Sequence, residues 1–250
     1  MNNLKTKIDK SWIPNAVTLG NLLAGCISIS FSAQHLFLPA VYLIYIGLLL
    51  DFLDGWVARW LGVQSVLGKE LDSFSDLISF GLAPAFLIQE ILWNSGSFQT
   101  GNFSWIPYTL WLIPIFSTIR LAQFNLGHFQ SPKGFIGIPT PANALWISSL
   151  VWIRKDSVKL FQDLIFQPWM VLVLIFLSSL WLILPIPLLN LKFKNFSWKE
   201  NEFRFIFLIL IGILGGILWA MSLAIFWIPL ILLLYLGISL IFYKTIQTHE

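Results

Sequence analysis

The stretch Phe37–Arg59, FLPAVYLIYIGLLLDFLDGWVAR, decides the fold of this chain. It is apolar over the length that a membrane-spanning helix needs, about 20 residues. It also carries two carboxylates, Asp51 and Asp54, near one end. The rest of the chain has the same character. Of 250 residues, 57% are hydrophobic and 11% are charged, and the mean hydropathy is +0.80. A soluble domain carries about 25% charged residues, and so few ionic groups cannot cover a water-facing surface. The composition therefore predicts an all-α, polytopic membrane helical bundle. It excludes a disordered tail, a secreted disulfide scaffold and a nucleic-acid binder. The single cysteine, Cys26, excludes an internal disulfide and a multi-cysteine metal site.

Outward from Phe37–Arg59, about eight segments read as transmembrane helices. They are Ile13–Ala33, Phe37–Arg59, Ser73–Trp93, Trp105–Asn125, Thr140–Ile153, Pro168–Pro185, Phe203–Met221 and Ser222–Tyr243. Lys and Arg set the orientation. With a cytoplasmic N-terminus, twelve of the fifteen basic residues fall on the cytoplasmic side: Lys5, Lys7, Lys10, Arg59, Lys69, Arg120, Lys133, Lys192, Lys194, Lys199, Arg204 and Lys244. Arg154, Lys155 and Lys159 fall outside. There Val158, Phe161, Leu164 and Ile165 recur at helical spacing, as in a short helix lying in the interface. Trp12, Trp93, Trp105 and Trp198 fall at predicted helix ends, where aromatic anchors belong. Trp169 and Trp181 read as packing residues. Leu23-Ala24-Gly25-Cys26 has the form of a lipoprotein cleavage box, but Pro14, Asn15, Thr18, Gly20 and Asn21 make a poor apolar run ahead of it. Cys26 instead reads as a small residue packed in the first helix. Gly212-x3-Gly216 matches a helix-dimerisation pattern, but it reads as close packing of helices within one bundle. His35, His128 and His249 are isolated and read as surface or loop residues.

The twelve acids are unevenly spread: Asp51, Asp54, Glu70, Asp72 and Asp76 lie within 26 residues. A step of three puts Asp51 and Asp54 on one helix face, about 60° apart. After a connector, Trp60–Leu67, steps of four align Gly68, Asp72 and Asp76 on one stripe of the third helix. Glu70 falls off that stripe and reads as a solvated connector residue. Two antiparallel helices would thus present two carboxylates each to the same space. An ionised Asp costs about 2.5–3.5 kcal/mol at the centre of a membrane helix and less near its ends. Four that face one another also repel. Two divalent cations offset four negative charges, and oxygen-only donors suit Mg2+ or Mn2+. Such a pair can clamp a phosphoryl group. Gly55, Ala58 and Gly68 leave room for a substrate group to approach the backbone, and Arg59 can pair with phosphate oxygens. Two other readings stay open. The acids can be ion-paired with Arg59 and Lys69 at a solvated helix end. They can also line an ion pathway in a transporter, although the inverted repeats and broken helices of such proteins are not visible.

The string Asp51-x2-Asp54-Gly55-x2-Ala58-Arg59-x8-Gly68-x3-Asp72-x3-Asp76 resembles the signature of the CDP-alcohol phosphatidyltransferase family, with all eight positions present. Other segments are similar to the bacterial members that use serine as acceptor. They are Ile13–Asn21, Gln64-Ser65, Gly68–Ser73, Ser79–Pro84 and Gly137–Ala142. The resemblance covers about Ile13–Ala144. One departure is visible. The fourth helix ends Arg120-Leu121-Ala122-Gln123-Phe124-Asn125, with Gln123 where a second basic residue is usual.

The resemblance implies a catalytic membrane domain over 1–190, built on six helices, with further C-terminal helices over 191–250. It implies transfer of a phosphatidyl group from CDP-diacylglycerol to the hydroxyl of L-serine, with release of CMP. Glycerol 3-phosphate or inositol phosphate is the alternative acceptor. It assigns a binuclear Mg2+ or Mn2+ site to Asp51, Asp54, Asp72 and Asp76, with Asp76 also the general base. It places Gly55, Ala58, Arg59 and Gly68 around the nucleotide and pyrophosphate, with Asn15 and Thr18 facing them. Arg120 and Asn125 become candidates for holding the acceptor. It further implies a homodimer in the lipid bilayer of a bacterial cytoplasmic membrane, with the site open to the cytoplasm.

Overall fold

A computed structural model of the chain describes residues 10–63, 65–96, 98–99, 101–127, 130–131, 134–156, 164–185, 187–189, 209–214, 230–231, 234–235, 237 and 239. Helices α1 (Trp12–Ala33) and α2 (Phe37–Leu61) form an antiparallel pair. The turn between them holds His35 at a φ of 60°, with its Nδ1 3.9 Å from Glu90 Oε2. His35 is thus the loop residue expected.

The far end of α2 is stopped sharply. Gly62 takes a left-handed φ of 63°, which glycine adopts without penalty. The N–H of Val63 reaches back to the carbonyl of Ala58 at 3.0 Å, and that of Gly62 to Arg59 at 3.2 Å. This pair of bonds satisfies two carbonyls that would otherwise be orphaned. Three residues later Ser65 caps the next helix, its Oγ accepting from the N–H of Gly68 at 2.9 Å. The chain therefore reverses between Gly62 and Ser65 and sends α3 (Val66–Asp76) back beside α1. The cap also corrects one expectation. The third helix starts at Val66 instead of Ser73, so Glu70 is helical.

α3 passes through a π-helical turn (Leu77–Leu82) into α4 (Ala83–Asn94). A 3-10 turn (Ile106–Trp111) then leads into α5 (Leu112–Asn125), followed by α6 (Thr140–Asp156) and α7 (Pro168–Ile183). Three short antiparallel strands, β1 (Gln130–Ser131), β2 (Gly134–Ile136) and β3 (Pro187–Leu189), link the loops after α5 and α7. Gln130 pairs with Phe135, and Phe135 with Leu188.

The molecule is a helical bundle, as expected. The first six of the eight expected segments are helical. Among the described residues, Trp12–Ala33, Phe37–Leu61 and Val66–Asn94 are long and apolar enough to cross a membrane, and Pro168–Ile183 is a shorter apolar helix. The expected helices Phe203–Met221 and Ser222–Tyr243, Gly216, the interfacial helix around Lys159, His128, His249 and Trp198 lie wholly or largely outside the described residues.

The apolar core runs along α4, α5, α6 and α7 through Leu87, Ile91, Ile113, Ile147, Val171 and Leu182. Around α1 the packing is by small and polar residues instead. Ser75 Oγ donates to the carbonyl of Thr18 at 3.1 Å and Ser79 Oγ to that of Asn21 at 2.9 Å. A Cβ on Gly25 would lie 2.8 Å from Ser79 Cα, so α1 and the π turn touch backbone to backbone. Small residues and hydroxyls serve this purpose in membrane helices, where lipid gives apolar side chains no reason to prefer each other. Between α6 and α7, the Oδ1 of buried Asn143 accepts from Ser178 at 2.7 Å and from Trp181 Nε1 at 2.8 Å. Trp181 is thus the packing residue expected, whereas Trp169 is 56% exposed. Cys26 lies in α1 as expected, but it is exposed on the outer face instead of packed.

Candidate active site

The two Asp-bearing helices meet at the Gly62–Ser65 reversal, and α1 closes the third side. Carboxylate oxygens of Asp51 from α2 and of Asp72 and Asp76 from α3 all lie within 4.8 Å of one another. Asp54 stands beside them, near enough for its charge to act on Asp51 and Asp72. Its Oδ2 lies 2.6 Å from Thr18 Oγ1, which is also 3.0 Å from the carbonyl of Pro14. One hydroxyl carries one proton, and the shorter contact to a carboxylate takes it.

Asp76 is 8% exposed, and its Oδ1 has no hydrogen-bond partner. A buried carboxylate oxygen left unpaired is expensive, and two more carboxylates beside it raise the cost. Among the described residues, no ion pair within 4.0 Å joins these acids to Arg59 or Lys69, so the reading of a self-neutralised helix end does not hold. An all-oxygen donor set with an orphaned oxygen suits a hard divalent cation. Asp51, Asp72 and Asp76 fit such an ion.

Asp72 also belongs to the wall of a cavity of about 620 Å3. Asn15 and Thr18 line it from α1, Asp54, Gly55 and Ala58 from α2, and Gly68 from α3. A Cβ on Gly68 would lie 2.8 Å from Asn15 Oδ1 and 3.0 Å from Ser65 Oγ, so the glycine lets α1 come close. Arg59 folds back along its own helix, with Nη1 3.3 Å from where a Cβ of Gly55 would stand. It covers the helix end without lining the cavity.

The expected acceptor residues are placed apart from one another. Arg120 is buried, and its Nη1 donates to the carbonyl of Leu182 at 3.3 Å. Asn125 lies against α3: its Nδ2 donates to Ser73 Oγ at 2.8 Å, and its carbonyl accepts from Lys69 Nζ at 3.0 Å.

Apart from Glu70, six residues that line the cavity were not assigned to the site from the sequence: Ser11, Pro14, Val63, Ser65, Val66 and Lys69. The first two were findable, because positions 11, 14, 15 and 18 share one helix face. Ser65 was findable as a cap three residues before Gly68. Glu70 also lines the cavity, so it has a share in the site that its sequence position did not suggest.

The family model described as CDP-alcohol phosphatidyltransferase matches residues 11–238. The chain belongs to the CDP-alcohol phosphatidyltransferase family. Among curated members of the family it is 32% identical over 201 residues to the CDP-diacylglycerol–serine O-phosphatidyltransferase of Helicobacter pylori, covering 79% of this chain and 78% of the relative. It is 37% identical over 131 residues to the enzyme of the same name from Bacillus subtilis, covering 52% of this chain and 70% of the relative. To that of Methanocaldococcus jannaschii it is 39% identical over 133 residues, covering 53% and 57%.

Proposed function

We propose that this protein transfers the phosphatidyl group of CDP-diacylglycerol to the hydroxyl of L-serine, giving phosphatidylserine and CMP. The meeting of Asp51, Asp72 and Asp76 beside a cavity floored by Gly55, Ala58 and Gly68 carries this reading. Family membership and the names of the relatives supply the substrates.

Asp51, Asp54, Asp72 and Asp76 would hold a pair of Mg2+ or Mn2+ ions, which neutralise charge on the pyrophosphate and on the departing CMP. Gly55, Ala58 and Gly68 leave the backbone open to the nucleotide, with Asn15 and Thr18 facing it, and Arg59 would turn from Gly55 toward the cavity to reach phosphate oxygens. Asp76, the most enclosed carboxylate of the α3 stripe, takes the proton of the serine hydroxyl as its oxygen attacks phosphorus and the bond to CMP breaks. Asn125 belongs to the acceptor side, and Arg120, the other candidate on the same helix, would join it only by turning from the carbonyl of Leu182. The cavity opens at a helix end, so the acyl chains stay in the bilayer while serine and CMP exchange with water on the cytoplasmic side. The same proposal includes a homodimer, the bacterial cytoplasmic membrane, and a catalytic unit over 1–190 with appended helices over 191–250.

Purified protein in detergent, given CDP-diacylglycerol, Mn2+ and serine, should release CMP and form phosphatidylserine in equal amounts. EDTA should abolish both, and added Mn2+ or Mg2+ should restore them. CMP release with glycerol 3-phosphate or inositol phosphate but not with serine would reject the acceptor. Ion flux in liposomes without CMP would reject the enzyme.

A further inference from the structure

The proposed reaction takes an acceptor with three functional groups: the hydroxyl that reacts, an ammonium and a carboxylate. The carboxylate needs a cation near the reacting end of the site. Arg120 is directed to the carbonyl of Leu182 and is not among the residues lining the cavity. Gln123, further along the same helix, is neutral. Arg59 lies folded over Gly55 on the opposite helix. Lys69 is different. It lines the cavity beside Asp72, and it is solvent-exposed.

Its position on α3 adds a second argument. Lys69, Asp72, Ser73 and Asp76 follow at steps of three and four, so they share one helix face. That face carries the proposed base at one end and an amine at the other. It looks toward the C-terminus of α5, where the carbonyl of Asn125 holds the Lys69 amine at 3.0 Å and the Asn125 amide holds the Ser73 hydroxyl at 2.8 Å. An ammonium group has three protons to donate, and a single carbonyl uses one of them. Asn125 therefore fixes the direction of Lys69 and leaves donors for an anion.

We infer that Lys69, oriented by Asn125, is the group that binds the acceptor's carboxylate, and that the acceptor lies between α3 and α5 along the Lys69–Asp76 stripe. This rests on the serine reading above and deepens it. The acceptor class it selects is a small α-amino acid alcohol whose carboxylate is free, in preference to the corresponding diol.

The experiment compares serine with serinol, which replaces the carboxylate by an uncharged hydroxymethyl group. The readout is the ratio of kcat/KM for the two acceptors, measured in wild type, Lys69→Gln and Lys69→Arg. The ratio cancels any defect common to both acceptors, such as weaker binding of the lipid donor or partial unfolding. Loss of one charge-assisted contact predicts that the serine preference falls roughly ten- to hundredfold in Lys69→Gln. Lys69→Arg should retain most of it. An unchanged ratio in Lys69→Gln, or an equal fall for both acceptors down to background, overturns the inference while leaving the serine reaction in place. Absence of CMP release with serine in the wild-type protein instead sinks the reading on which it rests.

Discussion

Among the described acids, Asp76 alone joins three properties: it is nearly enclosed, one of its oxygens is unpartnered, and two carboxylates face it. A proposed base usually contributes about 10^2–10^4-fold to rate. Asp76→Asn keeps the shape and removes both the basicity and one anionic ligand, so CMP release at saturating Mn2+ should fall by at least about a hundredfold. Gly68 is a subtler test. An added methyl would press on Asn15 Oδ1 and Ser65 Oγ, both ends of short side chains that can turn away. Gly68→Ala should therefore fold, but with Asn15 displaced from the cavity. The expected result is a KM for CDP-diacylglycerol raised roughly tenfold, the scale of one lost hydrogen bond, with a smaller change in kcat.

Among the elements, the contact of α1 with the π turn is the least forgiving. At Gly25 the obstructing atoms are Ser79 Oγ and Ser79 Cα, and the second is backbone and cannot rotate aside. Gly25→Ala should lower the thermal midpoint in detergent, at a cost of about 1–3 kcal/mol. It should lower activity too, because Thr18 lies on the same helix two turns away. How far these elements could be read from the residues depends on what marks them. The stripes of Asp51 and Asp54 and of Gly68, Asp72 and Asp76 are set by helical periodicity, which the chain displays openly, and they do converge. The helix starting at Val66 rests on one serine hydroxyl, a signal that was present but outweighed by hydropathy. The π turn leaves no trace, since a shift of one residue in an apolar run changes no polar pattern. The strands are two and three residues long, too short for alternation to register. The place of Arg120 depends on Leu182, 62 positions later, a separation that local pattern cannot bridge.

For the whole molecule, the prediction concerns sidedness. The loop Asn94–Ser104 carries no charge, while Lys69, Arg59 and the acids gather at the other end of the same helices. In a Cys26→Ser background, Asn102→Cys should react with a membrane-impermeant maleimide added to intact spheroplasts. Lys10→Cys should react only after permeabilisation. The reverse labelling pattern would place the site on the wrong side for CMP exchange with the cytoplasm. The rod Val66–Asn94 spans this distance with two duties, a carboxylate face at its start and an apolar core face at its end. The wide turn Leu77–Leu82 lets those faces differ in phase. Such a turn holds about one residue more than α pitch requires, and each α-helical residue advances about 100°. Deleting one residue from it would tighten the rod into a single α-helix and swing the carboxylate face by that angle while the core half stayed seated. The expected product is a protein that keeps its apolar core, is less stable for the disturbed contact of the turn with α1, and has acids that point away from α2. The single loose turn thus acts as the phase adjuster that lets one helix serve both chemistry and packing.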